Sequence, residues 1–171
     1  LAAPGLASVT RGTGLSYAAR QVHDQLSLAR QVALSRNLPV EVRLYKLVDS
    51  RFPADPAGGS FRAMQLFLAE EAGTFTPVSQ MVRMPDQIII DRANALSSII
   101  GQAGVTAAAP RLATGAELAF PLPVVGDNYS AVVFRFLPDG STNMSTGGQW
   151  FLTVHDGKFG DNLSTPPANF Y

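Results

Sequence analysis

Residues Ala18 to Val42 read AARQVHDQLSLARQVALSRNLPVEV, and within this stretch the hydrophobic period changes from that of a helix to that of a strand. Leu15, Ala18, Ala19, Val22, Leu26, Ala29, Val32 and Ala33 recur at three- and four-residue steps, while Arg20, Asp24, Arg30, Ser35 and Arg36 fall mostly between them. The spacing predicts an amphipathic helix over residues 15–37, with Leu15, Ala19, Val22, Leu26, Ala29, Val32 and Ala33 forming the stripe that packs on a sheet. Its end is marked as well. Asn37 tolerates the left-handed conformation, Pro39 disfavours helix at Leu38, and Arg36 places a cation at the negative end of the helix dipole. From Val40 the period is two: Val40, Val42 and Leu44 share one face and Glu41, Arg43 and Tyr45 the other, which predicts a half-buried strand.

Toward the C-terminus, residues 40–171 read as β-rich. Phe61 to Glu70 is a second strand, and Glu71-Ala72-Gly73 turns it toward Thr74 to Val78, as in an antiparallel meander. Met81 to Met84 and Ile88 to Ile90 read as two short strands around a turn, and Arg92 to Ile100 as a short helix. Gly101 to Asn128 has the weakest pattern and reads as a long loop with one strand near Leu118 to Phe120. Tyr129 to Leu137 and Gln149 to His155 are further strands, the first closed by the turn Pro138-Asp139-Gly140. Toward the N-terminus lies the apolar LAAPGLASV, then Arg11-Gly12-Thr13-Gly14, whose glycines loosen a helix. The expected organisation is an apolar segment at 1–14 followed by one α+β domain at 15–171.

Composition narrows the chemistry. The chain has 171 residues, 46% of them hydrophobic and 15% charged, enough to bury roughly 70% of its unfolded surface in one domain. The absence of cysteine excludes disulfide scaffolds, thiol enzymes and cysteine-ligated zinc or iron–sulfur centres. Thirteen basic residues balance thirteen acidic ones, and Arg43, Arg62, Arg83, Arg111 and Arg135 are dispersed, both of which argue against a nucleic-acid partner. No run of about 18 apolar residues is present to span a bilayer.

Catalytic motifs are missing: there is no GxSxG, GxGxxG, GxxxxGK or HExxH. His23 precedes Asp24 and His155 precedes Asp156, but neighbours in a strand point to opposite faces, so both histidines read as ordinary surface residues and the protein as a non-enzyme. No cofactor is expected. Asp156, Asp161 and Asn162 in HDGKFGDN offer oxygen ligands of the kind calcium takes, at a spacing that fits a solvated turn better. Asn128, Asn143 and Asn162 begin N-x-Ser/Thr triplets and are candidate glycosylation sites.

The helix-to-strand block carries a family resemblance. Leu26, Ala29, Arg30, Ala33, Pro39 and Val40 stand at the positions of an L-x-x-A-R-x-x-A-x-x-x-x-x-P-V pattern, similar to the H-type minor pseudopilin of type II secretion and to related minor pilins. Val133 to Gly140, VFRFLPDG, resembles the F-x-P-x-G strand and turn of the same group, and Leu1-Ala2-Ala3-Pro4-Gly5-Leu6 resembles the last part of the type IV pilin hydrophobic helix. The chain is also similar to pilin-like cassette proteins of verrucomicrobial type. The resemblance covers the first 45 residues well, 130–156 moderately and the middle hardly at all.

It implies a long N-terminal helix packed on antiparallel sheet, and a structural subunit of a pilus or pseudopilus filament. Leu1, Ala2, Ala3, Pro4, Gly5 and Leu6 would pack against neighbouring subunits, with Pro4, Gly12 and Gly14 letting the helix bend. Its partners would be other pilin or pseudopilin subunits and, before assembly, the inner membrane, through an apolar segment preceding Leu1. The subunit would then move to a periplasmic or cell-surface filament. The family's cleavage site and early glutamate have no counterpart here, so no processing residue carries over, and without cysteine there is no C-terminal disulfide loop. Tyr171 stops where a strand is due, so truncation at that end is expected too. The alternative is a minor pilin that binds DNA, a secreted substrate or a surface; a hydrolase using His23 and His155 ranks third.

Overall fold

Helix α1 runs from Pro4 to Arg36, about 50 Å at 1.5 Å per residue. The computed structural model describes residues 4–48, 59–70, 73–85, 87–105 and 108–157, with the side chains of 4–11 excluded. The helix begins earlier than the periodicity from Leu15 suggests. Pro4 is its first residue, where a missing N–H costs no internal hydrogen bond. Gly12 and Gly14 lie within it without interrupting it. A Cβ at either would meet nothing within 4 Å, so each costs only its propensity, about 1 kcal/mol, within a cooperative hydrogen-bond ladder. Asn37 ends the helix at φ 53°.

The strands are β1 (Val40–Leu47), β2 (Ser60–Ala69), β3 (Phe75–Pro77), β4 (Val82–Arg83), β5 (Ile88–Ile90), β6 (Arg111–Thr114), β7 (Ser130–Phe136) and β8 (Val154–Asp156). They form one sheet in the order β6-β7-β1-β2-β5-β8, with β3 and β4 also pairing with β2. All these pairings are antiparallel. The protein is thus an α+β domain, a long N-terminal helix packed on an antiparallel sheet.

The two faces of β1 sort as the period of two requires. Val40, Val42 and Leu44 join Met64, Leu66, Val132 and Phe134 in the core beneath α1. The opposite face is covered as well, which corrects the half-buried reading of β1: Glu41, Arg43 and Tyr45 are 2%, 0% and 0% exposed. Phe67 and Phe75 lie over Arg43 and Arg135 holds Glu41, while over Tyr45 the cover comes from 111–129, the stretch expected to be mostly loop. It contains β6, the one-turn helix α3 (Gly115–Leu118) and a Leu122–Gly126 bridge, and the strand expected near Leu118 to Phe120 is absent. Thr114 caps α3 through a reciprocal capping box with Glu117. Leu118, Leu122 and Tyr129 then pack on Tyr45, Leu47, Ala63, Ala131 and Val133 in a second core.

Two further departures are local. Met81–Met84 and Ile88–Ile90 both form strands, but these pair separately with β2 instead of with each other. The strand expected over 149–155 is shortened to β8. Residues 149–153 instead satisfy their backbone on two serines beside the one-turn helix α2 (Ser98–Gly101), itself shorter than the helix expected over 92–100. Ser98 Oγ donates to Gln149 O at 2.8 Å and accepts from Phe151 N at 3.0 Å, and Ser97 Oγ accepts from Thr153 N at 2.9 Å.

Candidate functional site

The inner stripe of α1 is built from small residues where the helix lies closest to the sheet. Ala18, Ala29 and Ala33 are fully buried, Leu15 and Val22 nearly so, and Ala19, Leu26 and Val32 pack against the same core from its margin. Gly12 and Thr13, before this stripe, are exposed. The outward side carries Arg20, Asp24, Arg30 and Arg36, together with two exposed apolar side chains, Tyr17 (58%) and Leu34 (51%). Of the residues expected to pack in a filament, Pro4, Gly5 and Leu6 belong to the first turn of α1, and Leu1, Ala2 and Ala3 lie outside the described residues. No helix among the described residues is long and apolar enough to cross a membrane.

The second arrangement lies on the sheet face opposite α1, and sheet register assembles it. Pairing places Arg135, Glu41, Phe67 and Pro77 in one cross-strand row and Arg111, Val133, Arg43 and Gln65 in the next. Glu41 bridges two guanidinium groups: Arg43 Nε donates to its Oε1 at 2.8 Å, and Arg135 Nε and Nη2 donate to its Oε2 at 3.0 and 2.9 Å. The Arg43 Cζ stands 4.0 Å from the Phe67 ring centroid and 4.9 Å from that of Phe75, and the Arg135 Cζ lies 5.3 Å from Phe75. Nη1 and Nη2 of Arg43 are buried and complete no hydrogen bond, although the Tyr45 hydroxyl lies close enough to feel this guanidinium.

Two tyrosines complete the surroundings. Tyr45 and Tyr129 meet edge to face at 5.3 Å; Tyr45 donates to Gln65 Oε1 and Tyr129 to Phe120 O. Burial pushes the Tyr45 hydroxyl well above the usual tyrosine range against the opposing pull of Arg43, and burial raises Tyr129 also. The cluster was not visible in the sequence as a site. The one available signal was two charged residues, Glu41 and Arg43, alternating within a strongly apolar strand.

The histidines separate. His23 is an exposed residue 3.4 Å from Asp24. His155 is buried, which corrects its reading as a surface residue; its Nε2 lies 3.4 Å from Asp91 Oδ2, both side chains being 2% exposed. Asp91 also accepts from the backbone N of Ala93 at 2.7 Å. His23 and Asp24 on α1 and His155 on β8 do not converge into a triad. Ser97 and Ser98 are spent on backbone hydrogen bonds. Of the candidate calcium ligands, Asp156 is buried on β8, and Asp161 and Asn162 lie outside the described residues. Among the described residues no group of three or more His, Asp or Glu side chains is placed to hold a metal ion.

Asn128 is exposed just before β7, and Asn143 is exposed with its Oδ1 accepting from Arg135 N at 2.8 Å; Asn162 lies outside the described residues. Of the dispersed arginines, Arg135 is held by Glu41, and Arg111 lies 3.8 Å from Glu117. Comparison of the chain with protein-family models, with curated proteins and with solved structures finds no match.

Proposed function

We propose that this protein is a structural, non-enzymatic subunit of a type IV pilus-like or type II secretion pseudopilus filament, assembling through α1. The observation that carries the reading is the division of labour along that 33-residue helix. From Leu15 to Ala33 the inner stripe is consumed by the sheet, whereas the helix continues N-terminally as far as Pro4 with Gly12 and Thr13 exposed. A helix whose C-terminal two-thirds anchor a domain leaves its N-terminal third to pack against neighbours. Tyr17 and Leu34 on the outward side add apolar surface for such contacts.

In this scheme the partners are other pilin or pseudopilin subunits. An apolar segment preceding Leu1 holds the subunit in the inner membrane before assembly, and the β-rich domain faces outward from the filament in the periplasm or at the cell surface. The test uses the full encoded chain in its own cell, with cysteine introduced at Gly12 or Tyr17. Under oxidation, intermolecular crosslinks in the sheared or pelleted filament fraction are expected at these positions, and a cysteine at exposed Thr76 on β3 serves as the control. A chain that stays monomeric in a soluble fraction, or an encoded sequence before Leu1 that is polar, overturns the reading.

A further inference from the structure

We propose that Arg43 and Arg135 form a binding site for a single carboxylate group, gated by the Phe75 side chain, on the sheet face opposite α1. The site stands independently of the assembly reading.

Charge is the first argument. Two guanidinium groups share one carboxylate, and both Glu41 oxygens are taken, Oε1 by Arg43 and Oε2 by Arg135. Among the described residues neither arginine has a second carboxylate within ion-pair distance, so the cluster carries one excess positive charge. Arg43 is 0% exposed, so its charge is not in contact with bulk solvent. A buried cation in that position gains from one more anion.

Geometry is the second. Arg43 spends Nε on Glu41 and leaves Nη1 and Nη2, the end-on edge of its fork, buried without a completed hydrogen bond, the neighbouring Tyr45 hydroxyl being given to Gln65. That edge matches the two oxygens of a carboxylate in a bidentate pair. One carboxylate also neutralises the cluster, whereas a doubly charged phosphate would reverse its sign. Access is the third. Arg135, with its side chain 40% exposed, marks the solvent side. The half-buried Phe75 ring lies within 4.9 Å of one guanidinium carbon and 5.3 Å of the other, on a three-residue strand whose Thr76 and Pro77 are exposed. In the proposed site, displacement of that ring is the step that would open the Arg43 edge toward the part-exposed Arg135.

The experiment follows arginine side-chain N–H signals of the 171-residue chain by NMR during titration with sodium acetate, with sodium chloride at matched ionic strength and with inorganic phosphate. Acetate is expected to shift the Arg43 and Arg135 signals saturably and chloride not at all; Phe75→Ala should tighten apparent binding several-fold, and Arg43→Lys should weaken it at least tenfold. If Arg43→Lys does not fold, Arg135→Gln at its part-exposed position carries the same expectation. A short peptide with a free C-terminal carboxylate and its amidated form distinguish a small acid from a peptide terminus as the source. Binding by acetate, by the free peptide or by both supports the site. Equal shifts with acetate and chloride, saturation indifferent to Arg135→Gln, or phosphate binding tighter than acetate overturns it.

Discussion

Replacing Glu41 by Gln removes one negative charge, at nearly constant volume, from between two guanidinium groups. Three charge-assisted hydrogen bonds of 2.8 to 3.0 Å lose their ionised acceptor. The two arginines respond differently. Arg135, with its side chain 40% exposed, can turn to water and recover most of its loss, whereas Arg43, at 0%, cannot. Breaking a buried ion pair by removing one partner costs about 3–5 kcal/mol, and the amide oxygen of Gln restores part of one hydrogen bond, so the expected loss is about 2–4 kcal/mol. For a domain of this size each kcal/mol moves the unfolding midpoint by about 2–4 °C, placing the variant roughly 5–15 °C below the parent.

Urea unfolding followed by circular dichroism and by the fluorescence of Trp150, the single tryptophan, measures the difference. A second variant separates charge from packing. Adding Arg43→Met to Glu41→Gln removes the stranded cation and should restore most of the lost stability, because a buried ion pair exchanged for apolar volume is near neutral. A loss below about 1 kcal/mol for Glu41→Gln, or losses that simply add in the double variant, would refute the claim that Glu41 holds a desolvated Arg43.

The alanine seam of α1 should resist enlargement: Ala29→Leu inserts three carbons at a fully buried contact with the sheet and is expected to cost at least about 1–3 kcal/mol, read as a lower urea midpoint. Gly12→Ala and Gly14→Ala should each stabilise the helix by about 0.5–1 kcal/mol, since a Cβ there meets nothing within 4 Å; increased helicity and slower amide exchange over 8–18 would show it. The Asp139 carboxyl is held below its ordinary value by the Ser141 hydroxyl and amide, which donate to Oδ1 at 2.6 and 2.8 Å. Its folded-state pKa is depressed, so its contribution is present above the unfolded value near 3.8 and is lost as pH falls through the folded one. The stability difference between the parent and Asp139→Asn should therefore shrink on acidification below about pH 4, and a difference that grows there would contradict the assignment.

What was legible in the sequence was local. The change of period at Pro39, the left-handed Asn37 and the alternation in Val40–Tyr45 are each set by a few consecutive residues, and each lies where expected. The loop reading of 101–128 failed because β6 is four residues long and α3 four, too short for periodicity to register, and they exist through pairing with β7 and packing on Tyr45. His155 could not be judged from its neighbour Asp156, because its partner Asp91 comes from the other side of a strand pair.

The charged cluster shows the same division. Glu41 and Arg43 are two residues apart and necessarily share a face of β1, but Arg135 reaches Glu41 only through the pairing of β1 with β7, across 94 residues of chain. The sequence by itself determined the helix, its end, and which side chains of β1 point together, because these follow from backbone geometry repeated every few residues. Only the tertiary structure decided that the second face of β1 is buried, and that Arg43 is left with an unsatisfied edge beneath Phe75. Burial and charge compensation are properties of what distant strands bring into contact, and no local pattern encodes that contact.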